Sequence, residues 1–169
     1  MNNVQSGTAT AEGESVNFNY IQISNNEKQA TSLFEFMAND TNVEIGFTKL
    51  NDDRSFITTS HEWGREAGNL GIRQISELGV KVENILEKTH SHPGGIKDPS
   101  GRPNEGTGEK PTADVASAAN LELRNPSIKH FIYTPSDGKY TQYSGKTTRP
   151  PLQEVIIKSR PRKKDSTQF

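Results

Sequence analysis

Apolar and polar residues alternate over residues 16–24, VNFNYIQIS, with the two-residue period of a strand buried on one face. The period then changes. Ala30, Leu33, Phe34 and Met37 stand at i, i+3, i+4 and i+7, which predicts a helix capped by Asn25 or Asn26, ended by Asn39-Asp40, and packed on a sheet through that stripe. Residues 43–50, VEIGFTKL, predict a second strand with Val43, Ile45 and Phe47 on one face and Glu44, Gly46 and Thr48 on the other. Asn51-Asp52-Asp53 turns the chain into a third strand, SFITTSH. A short helix is expected over 65–79, with Leu70, Ile72, Ile75 and Leu78 inward and Gly79 as its stop.

From Val80 the pattern is extended again, through VKVENILEKTHSH, until Pro93 removes the N–H that a sheet ladder needs. Residues 94–111 contain five Gly and three Pro and predict a loop of unusual length, of the kind that carries function. Thr112 is the expected cap of the helix ADVASAANLEL, which Asn125-Pro126 terminates. HFIYTP and KYTQYS then flank Ser136-Asp137-Gly138, a hairpin signal. Helices and strands that alternate irregularly in this way predict an α/β (α+β) fold, a single mixed sheet flanked by helices. The domain is expected over 16–145, between a disordered segment 1–15 and a flexible tail 146–169.

Composition narrows the chemistry. A chain of 169 residues is long enough for one domain with a real core, and its net charge is −1. The charge is uneven: residues 146–169 hold seven Lys/Arg against two acids, so the tail is basic and the body acidic. There is no cysteine, so disulfides and thiolate chemistry are excluded and any metal must be held by His, Asp or Glu. No apolar run approaches a membrane span, and the first 15 residues lack the basic start and apolar stretch of a secretory signal.

Two of the four histidines, His90 and His92, lie two apart at the end of the strand that Pro93 closes. Residues i and i+2 of a strand share a face, so both imidazoles are within reach of one ion. An arbitrary pair so spaced is usually two surface histidines. Here a carboxylate, Asp114, follows in the first turn of the next helix, where it also complements the helix dipole. Two neutral imidazoles and a carboxylate supply the three ligands of a catalytic Zn2+ site without cysteine. Such a site needs a general base. Glu44, a carboxylate amid Val43, Ile45 and Phe47, is the candidate, with Glu62 in a polar turn and Glu83 farther up the strand as rivals.

A glutamate on an early strand, then His90-Ser91-His92-Pro93, then an aspartate opening a helix, resembles the signature of the JAMM (MPN+/JAB) zinc metalloproteases, over about residues 26–145. More narrowly, HSHPGG and TPSDGKYTQY resemble the JAB-like toxin domains at the C-termini of Rhs and other polymorphic toxins. The resemblance implies a JAMM/MPN-like fold in which His90, His92 and Asp114 hold zinc and Glu44 activates a water against a peptide or isopeptide carbonyl. It also implies a serine that steadies the oxyanion three residues before the aspartate. Pro111 occupies that place, so Thr112, two residues before Asp114, is the candidate for the role as well as the expected cap. His92 and Asp114 are 22 apart, longer than the family spacing, which implies an insertion beside the site, expected to act as a flap. Implied partners are a protein or peptide substrate and a cognate immunity protein; no membrane span is expected, and nucleic acid is not the expected partner. The implied setting is synthesis in the cytoplasm, secretion within a larger effector and action in a target cell.

Other chemistries fit less well. His61-Glu62 lacks the second histidine of a zincin, because position 65 is arginine. No serine elbow is present, and Ser91, between the two histidines, points to the opposite face of the strand. A metal-dependent nuclease that uses His130 and the basic tail is the rival enzyme. A metal-free scaffold of MPN type is the non-catalytic alternative.

Overall fold

A computed structural model describes residues 4–11, 14–61 and 79–150. Seven strands form one mixed sheet in the order β1-β2-β4-β3-β5-β6-β7. They are β1 (Gln5–Ala11), β2 (Glu14–Ser24), β3 (Gly46–Leu50), β4 (Arg54–Thr59), β5 (Ile85–Ser91), β6 (Lys129–Thr134) and β7 (Lys139–Tyr143). Every neighbouring pair is antiparallel except β5 and β6. A parallel pair needs a long crossover, and here the loop after β5 and helix α2 (Ala113–Glu122) supply it. Helix α1 (Glu27–Asn39) makes the corresponding connection between β2 and β3.

The two α-helices of the described residues lie on opposite faces of the sheet. α1 buries Ala30, Phe34 and Ala38 against Ile23, Ile45, Phe47, Ile57 and Tyr133. α2 sets Ala118 against Ile132 and Tyr143, while its Leu121 joins Val82, Ile85 and Ile128 in the larger core cluster. Tyr133 and Ile132 are consecutive on β6, so the helices that touch them must sit on different sides. α1 starts where expected, with the Asn26 side chain accepting from Gln29 N at 3.0 Å, and Asp40 is its C-cap.

Three expectations are corrected. Residues 5–11 are not disordered: they pair with β2 from Gln5 opposite Tyr20 to Ala11 opposite Glu14, as the outermost strand of the sheet. The extended run from Val80 is interrupted by a 3-10 turn at Val82–Asn84, so β5 begins only at Ile85. From across the fold Asn125 Nδ2 donates to the carbonyls of Val82 at 3.1 Å and Ile85 at 2.9 Å, which ties this turn to the end of α2. The tail, too, is structured at its start, because Asn104 and Arg149 form a parallel bridge. The expected helix over 65–79 lies outside the described residues except for Gly79, whose φ of 75° suits a helix stop. Residues 94–111 form a loop, as expected. Among the described residues no helix is long and apolar enough to cross a membrane.

Candidate metal centre

β5 delivers both histidines to one face. His90 stands opposite Gly46 on β3 and Ile132 on β6, and the His92 N–H donates to the Tyr133 carbonyl at 2.9 Å just past the strand's end. Ser91, between them, is buried on the other face, where its Oγ accepts the Ile45 N–H at 2.9 Å while the Ser91 N–H donates to the Ile45 carbonyl at 2.9 Å. This double clasp holds the start of β3 to the end of β5. By the same register Glu44, half-buried one residue before Ile45, falls across from His92 and on the face that carries Gly46 and His90. Thr59 supports that backbone through a 3.5 Å contact with the Glu44 carbonyl. Of the rivals, Glu83 sits in the 3-10 turn at the far end of β5 and faces Arg124 at 3.7 Å, and Glu62 lies outside the described residues.

Asp114 arrives from α2, with only 7% of its surface exposed. Its placement rests on a residue the sequence pattern passes over. The Ser100 N–H donates to Asp114 Oδ2 at 2.7 Å, Ser100 Oγ accepts the Asp114 N–H at 3.4 Å, and the Ser100 carbonyl accepts the Val115 N–H at 3.3 Å. Ser100 thus satisfies the helix's first donors, the task expected of Thr112. Thr112 does occupy the N-cap position, but its exposed hydroxyl makes no capping bond. The loop crosses the helix start at Gly101, where φ is +73° and a Cβ would lie 1.9 Å from the Thr112 carbonyl oxygen, so only glycine fits. Ala113, next to Asp114, is held at a φ of 43°, a left-handed value that costs an alanine energy. The only sequence signal for Ser100 is its place after a proline in a glycine-rich loop, which names no partner 14 residues away.

Ligand atoms of His90, His92 and Asp114 all lie within 4.8 Å of one another. The two Nε2 atoms are 3.0 Å apart, and Asp114 Oδ2 lies 3.6 Å from one and 3.7 Å from the other. The circle through three points so spaced has a radius of about 2.0 Å, the ordinary bond length from imidazole nitrogen or carboxylate oxygen to a small divalent metal. Protonation also fits. His92 Nδ1 lies 2.8 Å from the Ile96 carbonyl, which can only accept, so the proton is on Nδ1 and the Nε2 lone pair faces the centre. Burial holds His92 below the ordinary imidazole range and the neighbouring His90 adds to this, while the Ile96 carbonyl and Asp114 pull the other way. A neutral imidazole is the form a metal takes. The group can therefore hold one divalent metal ion.

Behind His90 the same face carries buried polar groups that sequence reasoning did not place. Lys88 precedes His90 by two residues, pairs with His130 on β6 and is 8% exposed. Tyr143 closes the row, its ring 6.0 Å from His90 and 5.6 Å from His130. Burial, then the charge of Lys88, then His90 push His130 down to about 4, so it is neutral at pH 7 and its 3.7 Å approach to Glu122 is not an ion pair there.

The fold is a mixed α/β domain that brings two histidines from a strand end and an aspartate from the following helix to one buried point. The profile of the family described as JAB-like toxin 1 matches residues 22–119, and the chain belongs to that family. The match begins in β2 and ends within α2, so it contains Glu44, both histidines, Ser100 and Asp114. No curated protein and no solved structure gives a significant match.

Proposed function

We propose that the protein is a zinc-dependent peptidase or isopeptidase of JAMM type, acting in a target cell as the toxic end of a larger secreted effector of the Rhs or type VI kind. The observation that carries this reading is the meeting of His90 Nε2, His92 Nε2 and Asp114 Oδ2 on a circle of metal-bond radius, with Glu44 in register beside His92. Zinc held there supplies Lewis acidity toward a carbonyl oxygen and makes a water nucleophilic at neutral pH. The Glu44 carboxylate takes a proton from the attacking water and delivers it to the leaving amide nitrogen, so the C–N bond breaks without expelling an amide anion. The Ser91 clasp on Ile45 supports this reading, because it anchors the backbone next to Glu44. Ser100, whose N–H and Oγ bond to Asp114, supports that ligand from the loop.

Two measurements test the reading together. Purified protein is expected to hold one zinc per chain, and a His90→Ala/His92→Ala variant none. Expression of the chain is expected to halt growth of the host cell, and Glu44→Gln to restore it with zinc retained, because losing a general base costs about 10²- to 10⁴-fold in rate. Zinc-free wild type, or equal growth with the two forms, rejects the proposal. Plasmid nicking abolished by Glu44→Ala would put a metal-dependent nuclease in its place.

A further inference from the structure

The chain leaves β7 at Tyr143 and returns across the outside of α2 to the loop that carries Ser100. The route is specified at each step. Ser144 N–H donates to Thr147 Oγ1 at 2.9 Å, and Gly145 N–H donates to Glu122 Oε1 at 2.9 Å. Gly145 presses on α2 so closely that a Cβ there would lie 2.3 Å from the Ala119 Cα. Arg149 then pairs with Asn104 in parallel: its N–H donates to the Pro103 carbonyl at 2.9 Å, and its carbonyl accepts the Glu105 N–H at 3.3 Å. Pro103 is three residues from Ser100, whose backbone and hydroxyl hold Asp114. At its other end the segment is continuous with Tyr143, whose ring borders His90.

We propose that residues 144–150 are a strap that positions Asp114 for metal through the loop 100–105, so that docking of the strap and occupation of the metal centre favour one another. The proposal rests on the metal-centre reading above. Physically, the loop from 94 to 111 holds five glycines, so its backbone has many conformations open to it until contacts fix it. Backbone pairing with Arg149 removes many of these before metal arrives, and an ion that recruits Asp114 finds the Ser100 clasp already formed. Coupling of this kind is reciprocal: if the strap raises metal affinity, metal must tighten the strap. A loose extension would do neither.

The test uses the full chain with zinc as the probe. Arg149→Pro deletes the N–H that bonds Pro103, whereas Arg149→Ala keeps the backbone pair and removes only the side chain. Arg149→Pro is expected to weaken zinc binding about tenfold, the scale of one or two net hydrogen bonds, and Arg149→Ala to leave it unchanged. In the unmodified protein, adding zinc is expected to slow amide exchange at Arg149 and Glu105, a readout that does not depend on how well the proline variant folds. Zinc bound with no change at those amides overturns the strap and leaves the metal centre standing. Equal weakening by the alanine variant also overturns it, because charge rather than pairing would then be the cause. A wild-type chain that binds no zinc removes the metal centre, and the coupling with it.

Discussion

At the scale of single residues, two serines do more than their surroundings in the sequence suggest. Ser91 is fully buried and its Oγ accepts the Ile45 N–H. Ser91→Ala is expected to cost about 1–3 kcal/mol in urea unfolding, since it leaves a buried donor unmet, and to lower hydrolysis more than zinc content because it frees Glu44 rather than the ligands. Thr112→Ala, by contrast, removes an exposed hydroxyl with no capping bond and should stay within about 0.5 kcal/mol of wild type with activity intact. A large loss of activity in that variant would instead support the oxyanion role expected of Thr112. His130 gives a pH signature. Its folded pKa is about 4 against an ordinary 6.5, so below pH 6.5 the unfolded chain takes up a proton that the folded one refuses. The stability it supports is therefore full above pH 6.5 and is lost as pH falls toward 4, by roughly 3 kcal/mol in total. In chelator, the pH dependence of the urea midpoint over that window should shrink in His130→Leu, and an unchanged slope would show that the neutral imidazole is not its source.

Between elements, polar side chains make connections that hydrophobic period does not express. Asn125, just past α2, holds the carbonyls of Val82 and Ile85 and so sets where β5 begins and where along it His90 falls. Asn125→Leu should destabilise the protein by about 1–3 kcal/mol, with added amide exchange at Asn84 and Ile85, because two buried carbonyls lose their donor. The alternation along VNFNYIQIS and the stripe Ala30, Leu33, Phe34 and Met37 predicted β2 and α1, since burying an apolar face is a local instruction; Ala30 and Phe34 are fully buried, Leu33 and Met37 partly so, and Ala38 joins them in the core. Strand β1 was missed for the converse reason: its residues carry no apolar alternation, and it exists because β2 offers an edge to pair with.

For the whole molecule, a metal bound by β5 and α2 closes the parallel β5-α2-β6 crossover at its open end. Bound metal stabilises only the folded chain, so saturating zinc should raise Tm and a chelator should lower it, by about 2.7 kcal/mol of stability at a hundredfold excess over Kd. In His90→Ala/His92→Ala the two conditions should give the same Tm. A chelator effect that survives this double variant would mean that the ion sits elsewhere.

The amino-acid sequence by itself determined the mixed α/β class, the helix after the first long strand, the pairing of His90 with His92 on one face, and the place of Asp114 in the first turn of the next helix. Each follows from a short-range period or spacing that steric geometry translates directly into direction. Only the tertiary structure decided that Ser100 holds Asp114, that Ser91 clasps Ile45 beside Glu44, and that Arg149 docks on the loop between His92 and Asp114. Those contacts join residues far apart along the chain through backbone N–H and carbonyl groups that every residue carries. No local pattern encodes them, and they form only once the sheet has brought their carriers together.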